Sequence, residues 1–551
     1  MANYIGIDLG TTESTVSIIE ITSLGDEASD KLKTVSIYQF DEHHHFDRDN
    51  KTLQSAIYID RDNKKIYTGA YAKALYASGN KPLNTIRSIK TRIGGESMIQ
   101  AILDSDKDDL QSYDMTELSA VLLKSIKNSL EKQLETKNMD VVTITIPAGF
   151  NSDERNATIE SAYLAGFKNV QLLDEPTAVL LNFLNSEEII DNAVDEDFFY
   201  EKRKVLVYDI GGGTLDISIA NVENIDGAFS VDIIGRSKRM DFGGDDIDKY
   251  IASYFLEDFE KINDSIEKRT LEEQSIIISR IVSHAEKSKI SFDNKITAIL
   301  DNKRRRERFK ESVNFEIIDN LKVTDITLSD KILKNILSPV INKNGALLLP
   351  LTRTLKEIKI DKSDIDLVIL TGGSGKFYLV EETLNSFFNS RNGEEEIPLI
   401  SFCTSDAVSK GAVIHSHNRD NEDFKKIQID DIMSDSIFLK RGYKFDKIIA
   451  HTTTLGTHGK YSYAFEHASN RLELFLYYGI DGEESYKYKE ITGVFKTLDR
   501  WYKRGESVEI EWELDDNKIV HIYFNRDELL TTHKNINKKY ELLETFKINE
   551  L

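Results

Sequence analysis

One pattern occurs twice in this chain and constrains its fold more than any other feature. Residues Tyr4–Ile18 read YIGIDLGTTESTVSI and residues Val205–Ile219 read VLVYDIGGGTLDISI. In each, an apolar, β-branched run ends in an aspartate (Asp8, Asp209), a glycine-containing turn with threonine follows, and alternating apolar residues resume. The alternation on either side predicts a strand, a turn and a returning strand. Glycine directly after a strand lets the backbone approach a ligand closely, so that amide N–H groups of the turn converge on a phosphate. One such turn reads equally well as a plain tight hairpin. Two copies with the aspartate in register point instead to a duplicated phosphate-binding element and two related halves.

Strands and helices interleave around these copies up to about Ser416. VVTITIPA from Val141, KVLVYDI from Lys204 and IDLVILTGG from Ile365 read as buried strands closed by Pro, Asp or Gly. MTELSAVLLKSIKNSLEKQLE from Met115 and GDDIDKYIASYFLEDFEKI from Gly244 carry apolar residues at helical spacing. This alternation predicts an α/β architecture. After His417 the text NRDNEDFKKIQIDD is charged and without helical periodicity, and reads as a linker. Beyond it, VEIEWELDDNKIVHIYF sets Val508, Ile510, Trp512 and Leu514 on one strand face, and RLELFLYYG alternates through Leu472, Leu474 and Leu476. A separate all-β domain, a sandwich, is expected there. The expected division is a two-lobed α/β domain over 1–418, a linker over 419–435 and a β-sandwich over 436–551.

Bulk properties narrow the function. At 551 residues the chain exceeds one ordinary core, and 40% hydrophobic with 30% charged residues is the composition of a folded protein. A net charge of −23 opposes general attraction to phosphate backbones, so no nucleic-acid partner is expected. The single cysteine, Cys403, allows no internal disulfide. No run approaches the ~18 apolar residues of a membrane helix, and the N-terminus passes into a strand without a cleavable leader. A cytoplasmic protein with no membrane partner is the expectation.

The residues of the repeats suggest nucleotide chemistry. An aspartate at a strand end beside a triphosphate can hold Mg2+ or its waters, which suits Asp8 and Asp209. Thr11, Thr12 and Thr214 offer hydroxyls to phosphate oxygens or to an attacking water. GGSGKF at Gly372 is no P-loop, because Leu370 stands where the first glycine belongs and Phe377 where Ser or Thr belongs. GGGTLD lacks the last glycine of a dinucleotide fingerprint.

A duplicated phosphate turn with a third Gly-rich turn after a late strand resembles the actin, sugar-kinase and heat-shock chaperone superfamily. Within it the chain resembles the 70 kDa heat-shock chaperone (DnaK-like) family. The landmarks are IGIDLGTT at Ile5, NTIRSIKTRIG at Asn84, IPAGFNSDERNATIESAYLAGF at Ile146, LLDEPTAVLL at Leu172, YDIGGGTLDISI at Tyr208, FGGDDID at Phe242, AEKSKI at Ala285 and LTGGSGK at Leu370. The resemblance implies a duplicated actin-like ATPase domain followed by a β-sandwich that binds peptide, with ATP or ADP and Mg2+ as cofactors. It makes Lys90 the lysine that positions the attacking water, with Glu175, Asp209 and Thr214 around water and metal. It makes Gly10, Thr11, Thr12, Gly211, Gly212, Gly213 and Thr214 phosphate contacts. Glu286, Lys289, Gly372, Gly373, Ser374 and Lys376, together with Gly243 and Gly244, complete the expected cofactor site.

Departures from that family are also specific. Glu13 follows the first threonine pair, where a carboxylate repels phosphate unless it turns away. Lys376 stands for an arginine that stacks near adenine, keeping the charge and losing the planar contact. Tyr163 stands for an arginine used toward J-domain partners, the linker is more polar, and KKYELLETFKINEL takes the place of a helical lid. Two functional readings follow. The first is an ATP-dependent chaperone for unfolded or extended polypeptides, working with a J-domain co-chaperone and a nucleotide-exchange factor. The second is a lidless, nucleotide-holding regulatory relative that docks on a partner without foldase activity.

Overall fold

The chain is described by a computed structural model over residues 4–549, except 23–28, 95–98, 103–109, 135–140, 187–189, 192, 196, 264, 319–320, 390–395, 421–426, 434, 443, 452, 480–488, 525–527, 530–542 and 544. The first repeat forms β1 (Tyr4–Asp8) and β2 (Glu13–Thr22), which pair antiparallel with Asp8 opposite Thr15. β3 (Ser29–Thr34) extends this sheet beyond β2, while β4 (Val141–Ile146) and β5 (Val170–Asp174) add to it in parallel on the other side. The second repeat forms β6 (Arg203–Ile210) and β7 (Leu215–Ile225), antiparallel with Asp209 opposite Asp216. β8 (Ala228–Arg236) follows β7, and β9 (Leu367–Thr371) and β10 (Leu399–Ser401) join in parallel beside β6.

The duplication is therefore one of topology. The strand order is β5-β4-β1-β2-β3 in lobe I and β10-β9-β6-β7-β8 in lobe II. Each glycine turn leaves its sheet at the same corner, where an antiparallel hairpin meets the carboxyl ends of parallel strands. Open α/β sheets bind ligands at such ends.

Two helices lock the lobes together. α1 (Glu175–Leu184) follows β5 of lobe I, but Ala178, Val179, Leu181 and Phe183 pack with Val205 and Val207 of lobe II. α2 (Ala407–Asp420) follows β10 of lobe II and lies on the sheet of lobe I. There Gly6 of β1 leaves no room for a Cβ, which would come 2.5 Å from the Val413 amide. Thr15 donates to Ser409 at 3.1 Å, and the hydroxyls of Ser17 and Ser409 lie 2.9 Å apart. The helices cross at Gly411, where any side chain would run into the Ala178 carbonyl.

Two stretches of the segment expected to be a linker belong to regular elements. α2 runs to Asp420, and β11 (Ile427–Asp430) adds to the edge of lobe II in parallel with β8, Ile427 opposite Phe229. Beyond it, one four-stranded sheet contains Lys444–Ile449, Ser436–Arg441, Ser469–Gly479 and Lys489–Tyr502, and a second contains His458–Ala464, Ser507–Leu514, Val520–Phe524 and Glu528–Leu529. Leu472, Leu474, Leu476, Val508, Ile510 and Leu514 are buried between them as the alternation requires, while Trp512 is half-buried at the margin. The strand Lys547–Ile548 leaves this domain and pairs in parallel with Lys65–Thr68 of lobe I. The expected assignment of all of 436–551 to the sandwich thus differs from the chain path at that point. Among the described residues no helix is long and apolar enough to cross a membrane.

Candidate active site

The two glycine turns face one another. A Cβ on Gly212 would fall on the Thr12 hydroxyl, so the second turn touches the first directly and only glycine fits. Gly372, at the end of β9, has φ +85° and would place a Cβ 2.6 Å from the Asp209 carboxylate, so both conformation and space exclude other residues. Backbone hydrogen bonds tie in a further turn: the Gly244 amide donates to the Gly211 carbonyl at 3.0 Å and the Asp245 amide to the Gly212 carbonyl at 2.7 Å. The Ser374 hydroxyl donates to the Gly211 carbonyl at 2.8 Å. Four separate segments are thereby fixed around one point.

Between the lobes these turns enclose a cleft of about 430 Å³, a size suited to a small cofactor. Gly10, Thr11 and Thr12 line it from lobe I, and Gly211, Gly212, Thr214 and Gly244 from lobe II. Lys90, Glu175, Asp8 and Asp209 close its floor, and Glu286, Lys289, Gly372, Gly373, Ser374 and Lys376 its far end. Two expected residues stand behind the lining. Gly213 backs onto the methyl groups of Thr11 and Thr91, and Gly243 packs on the backbone of Gly212 and Gly213.

Lys90 opens a short 3-10 turn, Lys90–Arg92, and is 5% exposed, with its ammonium against the Glu175 carboxylate. Burial opposes its charge, but Glu175 and Asp8 outweigh this and raise its pKa. The carboxylates have too little compensation. Burial, against the attraction of Lys90, pushes Asp8 up to about 7, and burial with nearby Glu175 pushes Asp216 up to about 7. Burial and the same neighbours raise Asp209 well above the carboxylate range. Asp8, Glu175, Asp209 and Asp216 against one lysine make a donor set that a hard cation would balance. Among the described residues no group of three or more His, Cys, Asp or Glu closes on a single metal point. Mg2+ keeps several waters and takes phosphate oxygens as ligands, so these carboxylates can hold it directly or through water. The buried Thr12 hydroxyl has no partner among the described residues and fits a phosphate oxygen.

At the far end Glu286 is paired across the cleft with Lys73 at 2.7 Å, and Lys289 with Asp248 at 2.8 Å. Burial works against ionising Glu286, yet Lys73 outweighs it and holds the carboxyl low. Ile290 presents an apolar, half-exposed face to the cleft beside Lys376. Glu13 lines the cleft at its exposed rim, accepts a hydrogen bond from Gln54 at 2.6 Å, and its charge adds to the influences that raise Asp8. Asp216 and Asp248 were not foreseen. The signal for Asp216 lay in the alignment of the two repeats, where it occupies the place of Thr15.

A second polar cluster adjoins this floor. Asp174, the residue before Glu175, contacts Arg155 at 3.0 Å, Arg236, and Lys518 of the β domain at 2.6 Å. Lys518 also meets Asp431, which follows β11, at 3.0 Å, and Arg236 meets the same carboxylate. Burial works to raise Asp431, but Arg236 and Lys518 hold it at about 2. Nearby, the Asn517 side chain accepts from the Leu172 amide at 2.9 Å, and Asn151 donates to the Tyr478 hydroxyl at 2.9 Å.

Two half-sheets of one topology, closing glycine turns over a cleft floored by carboxylates and a lysine, define an actin-like ATPase domain, here joined to a β-rich domain. The chain belongs to the Hsp70 family: the family model described as Hsp70 protein matches residues 4–549. It is similar to the chaperone protein DnaK of Stenotrophomonas maltophilia, 26% identical over 551 residues that span 95% of this chain and 76% of the relative. Members of this family are ATP-dependent chaperones that bind ATP or ADP with Mg2+.

Proposed function

We propose that this chain hydrolyses ATP with Mg2+ and uses the nucleotide state to control capture of extended polypeptide by its β domain. The observation that carries the reading is Lys518. It belongs to the β domain, is 4% exposed, and rests on Asp174, whose neighbour Glu175 pairs with Lys90. A change at the cleft floor is thus one peptide bond from the domain contact.

Phosphoryl transfer needs mainly positioning and charge neutralisation. The amide groups of Gly10 to Thr12 and Gly211 to Thr214 would hold the phosphates, with the Thr12 hydroxyl completing the cradle. Lys90, kept charged by Glu175, would orient the attacking water and offset charge on the terminal phosphate. Glu175 would fix the lysine and accept a hydrogen bond from that water. Asp8 and Asp209 would hold Mg2+, which would supply Lewis acidity and charge neutralisation.

The domain contact is poised for release, because three cations (Arg155, Arg236, Lys518) share two carboxylates (Asp174, Asp431) in a buried place. Buried ion clusters of this kind gain little net stability. Peptide would enter the β domain as an added strand, with backbone hydrogen bonds for affinity and side-chain pockets for selectivity. A cytoplasmic setting and dependence on J-domain and exchange partners belong to the same reading. The test is the affinity of a labelled unfolded peptide with ATP and with ADP. Weaker, faster binding with ATP is expected. Equal affinity in both states would favour the regulatory relative that holds nucleotide without acting as a foldase.

A further inference from the structure

We propose that the edge of the strand Lys65–Thr68 in lobe I is a strand-addition site for an extended Phe-x-Ile-Asn segment, filled here by residues 546–549 of the chain itself. Without that segment the sheet would end at Lys65–Thr68, which pairs on its other side with Ala56–Asp60. An unpaired edge is a template for another strand. The Lys547 amide donates to the Lys64 carbonyl at 3.0 Å, and the Asn549 amide to the Ile66 carbonyl at 2.9 Å. Phe546 and Ile548 pack against the lobe I core.

The selectivity lies at Asn549. Its side-chain oxygen accepts from the Thr68 amide at 2.9 Å, while its nitrogen donates to the Thr68 hydroxyl at 2.7 Å and to the Ser125 hydroxyl at 2.8 Å. Thr68 and Ser125 are almost fully buried and lie 2.9 Å apart through their hydroxyls. One short carboxylamide meets the Thr68 amide with its oxygen and both hydroxyls with its nitrogen, which an apolar side chain cannot do. Asn549 also has φ +48°, a left-handed conformation that asparagine tolerates better than most residues.

The site sits where it affects the cleft. Lys65–Thr68 leads through Gly69 into the helix Ala70–Ala77, whose Lys73 reaches Glu286 across the cleft. The third strand of the same sheet, Thr85–Arg87, runs on to Lys90. Filling the edge therefore ties the segment after the β domain to the part of lobe I that carries the lysine.

The test uses the full chain and needs no nucleotide, so its failure is distinguishable from failure of the functional reading. In Asn549→Ala, which removes the acceptor of the Thr68 amide, that amide should exchange with deuterium about tenfold faster, the loss of one hydrogen bond of about 1.4 kcal/mol. A synthetic peptide of residues 541–551 supplied to that variant should restore the protection, and the same peptide carrying Asn549→Ala should not. Ile548→Lys, which leaves the amide pocket intact, should give the same gain in exchange by removing the apolar anchor. Unchanged exchange at Thr68 in both variants, or a peptide without effect, would overturn the proposal.

Discussion

Lys90 is a buried cation shared by Glu175 and Asp8, so its removal leaves carboxylates facing each other and a phosphate without its counter-charge. Lys90→Ala is expected to lower single-turnover ATP hydrolysis by about 10²- to 10³-fold, with a smaller change in ADP binding measured by calorimetry. A second residue sets a pH limit. His284 stacks on Phe315 with ring centres 4.0 Å apart, and burial, aided by Lys287 and Arg280, lowers its pKa to about 4. The folded value lies below the unfolded value of 6.5, so the unfolded chain takes up the extra proton. The contribution is complete above pH 6.5 and is lost as pH falls toward 4. Thermal melting should show the loss across that window, and His284→Phe should remove this component. Lys90 and Asp209 were legible in the sequence because each is embedded in a distinctive motif. Lys518 was not: DDNK between two strands reads as a solvated turn, and its burial comes from Asp174, 344 residues away in the chain.

Among the elements, the two hairpins and the third glycine turn behave as one unit, since Gly212 contacts Thr12 and Gly372 contacts Asp209. Gly212→Ala should force the turns apart at a cost of about 1–3 kcal/mol, read as a weakening of nucleotide affinity by about 5- to 150-fold. β11 is the other decisive element. Ile427 is buried on the lobe II edge, and Ile427→Asp should detach the strand and raise the rate at which protease separates the β domain. The hairpins were readable because alternation, aspartate and glycine coincide in both copies. The strand character of Ile427–Asp430 was not, because IQID becomes half-buried only when the β8 edge is available to it. The pairing of Lys547–Ile548 with lobe I was equally hidden, since nothing local specifies a partner nearly 500 positions earlier.

At the scale of the whole molecule, helix exchange makes the two lobes one mechanical body. α1 comes from one half and packs in the other, α2 does the reverse, and they cross at Gly411. The β domain is held against this body by the Asp174, Arg236, Asp431 and Lys518 cluster. Asp431→Ala should free the β domain, because it leaves Arg155, Arg236 and Lys518 around Asp174 alone, and breaking one partner of a buried ion pair costs about 3–5 kcal/mol, seen as a larger radius in solution scattering. Allosteric coupling is reciprocal, so a domain contact that transmits nucleotide state must also transmit peptide occupancy back to the cleft. The direct measurement is the ATP turnover of the intact chain with and without saturating unfolded peptide, beside Asp431→Ala under the same conditions. Turnover that rises with peptide in the intact chain and stays flat in the variant is the predicted result. Turnover that ignores peptide in the intact chain would contradict coupling between the cleft and the β domain.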